Sequence, residues 1–291
     1  MSDDSDSDNS ISSVETEEQI SNYPHSTLFE SNDRNFNFKN TDSIKKIVKK
    51  CKPYGWEKVF EESYSELKVI SDKLETLEKK SGRIVPDRNL IFRAFHICPL
   101  ENVRVVIIGQ DPYQNLDDEG NSVSQGTSFS VKKGQPIPPS LKNIFKEIKN
   151  CYKDCKVGEH GCLEKWSKEG VLLLNTCLTT DVGVSNSHGK YALWMPFIID
   201  VIDAIAETNP KCIYVLWGKE AQKIKPYLKK NPIIIETSHP SPFSVNYGFD
   251  GSKCFKKINK HLDARKLPEL AKGKEHHWSV LKGPIDWSLD D

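Results

Sequence analysis

The chain has 291 residues, 41 basic and 41 acidic, with no formal net charge, which is room for one α/β domain with tails. It has no apolar run long enough to span a membrane, no exported-leader apolar core and no basic mitochondrial leader. Its eight cysteines are scattered without a secreted-domain framework, so an intracellular, soluble protein with reduced thiols is expected.

Residues 1 to about 45 are rich in Ser, Asp, Asn and Glu and read as a disordered acidic arm, or at most a docking segment for a replication or repair protein. Residues 1–33 hold nine acids and no Lys or Arg, which leaves 41 basic against 32 acidic residues, or +9, on residues 34–291. A basic body suits a polyanion partner, although a solvated lysine surface is an equally ordinary reading. From residue 46 to 291 the pattern is that of one domain. Residues 55–82 predict a helix, with Trp56, Val59, Phe60, Tyr64, Leu67, Val69, Ile70, Leu74 and Leu77 at helical spacing. Four apolar segments predict buried strands: Val103–Ile108, Val171–Leu174, Cys212–Trp217 and Ile233–Ile235. Helical patterns lie between them at about 140–151, 194–207 and 219–229. Strands alternating with helices predict a parallel sheet covered on both faces.

The run GQDPYQN at 109–115 follows the first strand directly. It puts the carboxylate of Asp111 at the carboxyl end of a sheet strand, where open α/β sheets place ligands. Pro112 fixes its own φ and holds Asp111 extended, and Tyr113 is placed to wall the same pocket. The other strands end in Asn175, in Gly218–Lys219 and in SHPSPFS at 238–244. One sheet edge would therefore gather Asp111, Asn175 and His239. Polar loops are usual at such an edge, but an isolated Asn directly after VLLL and two Pro/Ser-rich loops go beyond that. Cys151, Cys155, His160 and Cys162 lie close together in sequence. Their C-x3-C-x6-C spacing is not a common ligand pattern and no second pair follows, so they read as thiols at a helix end, with no metal and no cofactor expected.

Together these residues resemble the family-1 uracil-DNA glycosylases, over roughly 56–262 and again at Ile285–Trp287. The family's water-activating loop is matched by GQDPYQ at 109–114, its uracil-stacking segment by GTSFSV at 126–131 and its Pro-rich loop by PIPPS at 136–140. Its uracil-recognition strand is matched by LLLN at 172–175, its Gly-Ser loop by WGK at 217–219 and its leucine loop by HPSPFS at 239–244. The resemblance implies an α/β fold, a three-layer α/β/α sandwich with a four-stranded parallel central sheet. It implies a monofunctional enzyme of base excision repair that flips uracil out of single- or double-stranded DNA, hydrolyses its glycosidic bond and leaves an abasic site.

The resemblance further implies the role of each residue. Asp111 positions the water and stabilises a cationic sugar, and His239 donates from a neutral imidazole to uracil O2. Phe129 stacks on the base, Asn175 reads its edge, Tyr113 excludes the thymine methyl group, and Gln110 lends backbone groups to the pocket. Pro139, Ser140, Gly218, Lys219 and Ser241 hold DNA phosphates, with Ser140 also capping its helix. Phe243 takes the place of the leucine wedge. Departures from the family pattern are Gln114 for a histidine, Lys219 for a serine, Phe243 for leucine, a long acidic loop after Gln114 and an insertion at about 267–283. A non-catalytic DNA clamp or polymerase accessory module on the same fold is the alternative. A monomer is expected. The Asn-, Ile- and Lys-heavy composition suggests an AT-rich genome such as that of a large DNA virus, with the nucleus or a viral replication site as the place of action.

Overall fold

The computed structural model describes residues 38–50, 52–263 and 283–289. The expectations for residues 1–37 of the acidic arm and for 267–282 of the insertion lie outside the described residues. In chain order, helices α1 (Ile44–Lys50), α2 (Glu57–Glu62) and α3 (Tyr64–Ser81) lead to a short strand β1 (Ile84–Val85) and helix α4 (Arg93–Ile97). Strand β2 (Val105–Gly109) is followed by α5 (Pro139–Cys151), α6 (Glu164–Lys168), β3 (Val171–Asn175) and β4 (Thr180–Asp181). Helix α7 (Met195–Thr208), β5 (Ile213–Trp217), α8 (Lys219–Gln222), β6 (Ile233–Thr237) and α9 (Cys254–Asp263) complete the fold.

The four expected strands form one parallel sheet in the order β3-β2-β5-β6. Every position of β2, β3 and β5 is buried, as continuous apolar strands covered on both faces must be. Alternate side chains enter two cores. Val106, Ile108, Leu172, Leu174 and Leu216 pack with residues of α1 to α4 and α7. Val105, Ile107, Leu173, Val215 and Trp217 pack with α5, α6 and α9. The result is the expected three-layer sandwich. The aromatic closing segment belongs to the second core: Trp166 Nε1 donates to the Trp287 carbonyl, and Asn259 exchanges two hydrogen bonds with the backbone of Ile285. Among the described residues no helix is long and apolar enough to cross a membrane.

Four expectations are corrected. The edge strand β6 is not buried throughout: Ile235 is, but Ile234 is 37% exposed and Glu236 faces solvent. The helix expected over 55–82 is two helices that meet at Ser63, whose hydroxyl donates to Asp200 at 2.7 Å. The helix expected over 219–229 is the single turn of α8 and a 3-10 turn at Lys225–Tyr227, because Pro226 supplies no N–H. The arm boundary at 45 falls too late. Ile44 opens α1 and is buried, and the amide of Asn40 bonds Asp87 while its carbonyl oxygen accepts the Arg88 N–H.

Strand order reverses direction at β2, which lies between β3 and β5, so the crevice at its carboxyl end is a topological switch point. The register sets Gly109 opposite Asn175 and Trp217 opposite Thr237. A second, two-stranded pairing of β1 with β4 ties the segment after β3 to the body; two-residue strands carry too little pattern to be read from sequence.

Candidate active site

At the switch point a cavity of about 250 Å³ is bounded by the 109–115 turn, Phe129, Ser140, Asn175, Ser185 and His239. The three strand-end residues expected to meet, Asp111, Asn175 and His239, do meet there.

Asp111 follows β2 and is held from the far side of the cavity. Its Oδ2 accepts the backbone N–H of Asn186 and, at 3.4 Å, the Ser185 hydroxyl. Burial raises its carboxyl pKa, and these two donors partly offset that. The 185–188 segment is itself pinned. Ser187 Oγ accepts the Asp181 N–H at 2.8 Å, and buried His188 bridges Thr179 Oγ1 (2.9 Å) and Asp181 Oδ1 (3.2 Å). Trp194 Nε1 donates to Thr179 Oγ1; the Asp181 carboxylate can only accept, so neutral His188 donates to it from Nε2 and takes the threonine proton at Nδ1. Burial holds the His188 pKa down despite that carboxylate.

His239 follows β6. Its Nδ1 accepts the Ser241 N–H at 3.0 Å, which places the proton of the neutral ring on Nε2. Burial lowers its pKa. Gly218 packs directly against it: a β-carbon there would fall 2.7 Å from the His239 Cβ, at a φ of +89°. The Phe129 ring lies 5.8 Å from the His239 ring and 5.4 Å, edge to face, from Trp217. Phe129 has φ +61°, a left-handed conformation that costs a non-glycine residue on the order of 1–3 kcal/mol. Its segment is sewn to the sheet by Ser128, whose N–H reaches the Leu173 carbonyl and whose hydroxyl reaches that of Ile107. Tyr113 donates to the Phe129 carbonyl at 3.2 Å, and burial pushes its phenol pKa up.

Asn175 is buried, and its carboxamide makes no hydrogen bond among the described residues while lining the cavity. The amide opens onto the cavity, so its donor and acceptor are both available to a ligand with a complementary edge. Gln110 offers less than expected, because its carbonyl is committed to the Cys177 N–H (2.9 Å) and the Thr176 hydroxyl (3.1 Å). Gln114 also lines the cavity.

The remaining residues surround the mouth. Ser140 lines the cavity but does not cap its helix: Pro138 occupies the N-cap, Pro139 the first helical position, and no side chain caps. Gly218 was expected to meet a phosphate through its backbone; its N–H is donated to the Thr237 carbonyl at 3.0 Å. Lys219 is exposed at the start of α8. Ser241 Oγ pairs with Ser244 Oγ at 2.9 Å, and Phe243 is 94% exposed. The clustered thiols diverge: Cys151 bonds Glu147, Cys155 bonds Ser288, and Cys162 accepts from Gln125. Among the described residues no group of three such side chains could hold a metal.

Sequence reasoning passed over Ser185 and Asn186, and it gave Ser128 and Trp217 no role of their own although both lie in segments it matched. The polar run SNSH at 185–188 was the one available signal, and it has no period that links it to Asp111.

Comparison with known proteins finds similar chains over most of this length. The family model described as the uracil DNA glycosylase superfamily matches residues 95–263. A uracil-DNA glycosylase of Desulfitobacterium hafniense is 42% identical over 214 residues, covering 74% of this chain and 86% of the relative. One from Bacillus cytotoxicus is 40% identical over 248 residues, 84% of this chain and 99% of the relative. The crystal structure of mimivirus uracil-DNA glycosylase superposes with a TM-score of 0.71 at 31% identity, covering 84% of this chain and 89% of that one.

Proposed function

The chain belongs to the uracil DNA glycosylase superfamily, and on that premise we propose how its own residues excise uracil from DNA. The reaction is hydrolysis of the glycosidic bond of deoxyuridine in DNA, which leaves an abasic site for base excision repair. The observation that carries the residue assignment is the convergence of Asp111, Asn175, Phe129 and His239 on one cavity at three strand ends.

A base within the stack is out of reach, so the nucleotide turns out into the cavity. Phe129 stacks on the ring. The Asn175 carboxamide donates to uracil O4 and accepts from N3–H; cytosine presents the opposite pattern and leaves both partners unpaired. Tyr113, locked by its bond to Phe129, stands against C5 and leaves no room for a methyl group. The repulsion matters, because attraction alone discriminates one methyl group poorly.

As the C1′–N1 bond breaks, its electron pair leaves with uracil and the sugar becomes oxocarbenium-like. The Asp111 carboxylate, fixed by Asn186 and Ser185, stabilises that cation and orients the water whose oxygen bonds to C1′. One water proton passes to the carboxylate. Negative charge gathers on uracil O2, where the Nε2–H of neutral His239 donates. A donor fixed before reaction costs no reorganisation when the charge develops.

The Ser140 and Ser241 hydroxyls, Pro139, the Lys219 ammonium and the start of α8 after Gly218 hold the phosphates. Phe243, exposed beside His239, fills the gap left by the turned-out nucleotide in a duplex and stacks on neighbouring bases in a single strand. Such a substrate places the enzyme wherever DNA is replicated or repaired, in a nucleus or at a viral replication site.

The test is excision from single-uracil oligonucleotides with matched thymine and cytosine controls, in EDTA. Alkali-labile cleavage at uracil alone is the expected result. DNA binding without cleavage would reduce the protein to a clamp on the same fold.

A further inference from the structure

Helix α5 touches the His239 loop at a point that bears on His239 itself. Ser140, in the first turn of α5, lines the cavity. One turn on, Asn143 Nδ2 donates to the Pro240 carbonyl at 2.8 Å. A further turn on, Glu147 is 1% exposed and accepts the backbone N–H groups of Gly251 and Lys253, each at 2.7 Å. Positions 143 and 147 share one helix face, so that face holds both ends of the segment that carries Ser241 and Phe243.

The Pro240 carbonyl and the Ser241 N–H belong to one peptide unit. Asn143 holds its oxygen, and His239 Nδ1 accepts its N–H. The unit is planar, so turning the carbonyl off Asn143 also turns the N–H off the imidazole. Donation to the carbonyl also polarises the unit and strengthens the N–H as a donor. Proline at 240 leaves that carbonyl as its residue's only backbone hydrogen-bonding group.

We propose that Asn143 is a positioning residue, which sets the tautomer and orientation of His239 through the 240–241 peptide and ties them to the helix whose first turn carries Ser140. The proposal rests on the uracil reading for its catalytic consequence, but not for its geometry. Asn143 touches neither base nor sugar; it acts on the leaving-group donor through one rigid plane.

The experiment uses the full chain with Asn143→Ala and with the isosteric Asn143→Asp, which sets an acceptor against the carbonyl. Imidazole nitrogen NMR of the free protein, assigned by loss of the signal in His239→Gln, reads the tautomer. The unaltered protein shows a single Nε2–H form. Both variants show a mixture of the two neutral forms. On uracil-containing single strands their kcat falls about 10- to 100-fold, while KM stays within about twofold and the melting temperature is nearly unchanged. An unchanged His239 signal in both variants overturns the proposal whatever happens to turnover. Absence of turnover in the unaltered protein counts against the uracil reading alone, because the imidazole signal is read without substrate.

Discussion

Gly109 lies beneath the carboxamide of Asn175. A β-carbon built on Gly109 would fall 2.2 Å from Asn175 Oδ1 and 2.7 Å from the Ser128 Cβ. The two residues are register partners in neighbouring parallel strands. Glycine is required here for space, since its φ is not in the left-handed region. One strand gives up its side chain so that the next can bring an amide to the cavity.

Gly109→Ala should therefore displace Asn175 and leave the sheet standing. The expected loss in kcat/KM on uracil is about 10- to 100-fold, with rejection of cytosine weakened, because a shifted amide no longer pairs at both of its atoms. Steady-state kinetics on matched uracil and cytosine oligonucleotides measure both effects. Unaltered kinetics in a folded variant would remove Asn175 from base reading.

Asp111→Asn should separate activity from stability. The carboxylate is held in a buried place that raises its pKa, so its ionised form at neutral pH costs the folded state free energy. The amide removes that charge. Turnover should drop about 100- to 1000-fold, with DNA affinity retained and a melting temperature no lower than that of the unaltered protein. A marked fall in melting temperature would mean that the carboxylate stabilises the fold.

The pH profile follows from two shifts toward each other. The His239 pKa is lowered from 6.5 and that of Asp111 is raised from 3.8. The reaction needs neutral His239 and ionised Asp111, so both requirements fail on the acid side, and kcat should fall there with a slope steeper than one proton. Linkage gives the sign for stability. A histidine depressed in the folded state adds stability above its unfolded pKa, and that contribution is lost as pH falls through the folded value. Single-turnover excision and thermal melts between about pH 4 and 8 check both. A slope of one proton would leave only one of the two groups in the rate.

Tyr113→Ala should admit thymine. The phenol bonds the Phe129 carbonyl, so the ring is fixed and cannot yield to a methyl group. Removing it opens the wall at C5, and excision from thymine oligonucleotides should become measurable while uracil is still processed. Persistent rejection would place the wall elsewhere.

What was legible from sequence follows burial. Strands β2, β3 and β5 are apolar at nearly every position because both faces are covered, and such runs stand out. Edge strand β6 has one exposed face, and Ile234 there misled. Asp111, Asn175 and His239 were readable because each lies at the end of an apolar strand or within two residues of it. Their holders were not. Asn186 reaches Asp111 through a backbone N–H from 75 positions away, and nothing in a side chain announces that. Gly218 fitted a phosphate contact by motif, but its N–H is spent on Thr237 and its missing side chain is what His239 needs. Ser140 fitted a helix cap by type, but Pro138 and Pro139 moved the helix start ahead of it.

Both reacting side chains are held by main-chain N–H groups: Asp111 by that of Asn186, His239 by that of Ser241. Any residue except proline carries such a group. At 241 the bond therefore asks nothing of the side chain beyond not being proline, whereas at 186, where φ is +55°, it also favours the residues that accept a left-handed backbone, asparagine, aspartate and glycine. Fragility is thereby moved one step away from the reacting residues, to side chains such as Ser187 and His188 that keep the 185–188 backbone in place and Asn143 that keeps the 240–241 backbone in place.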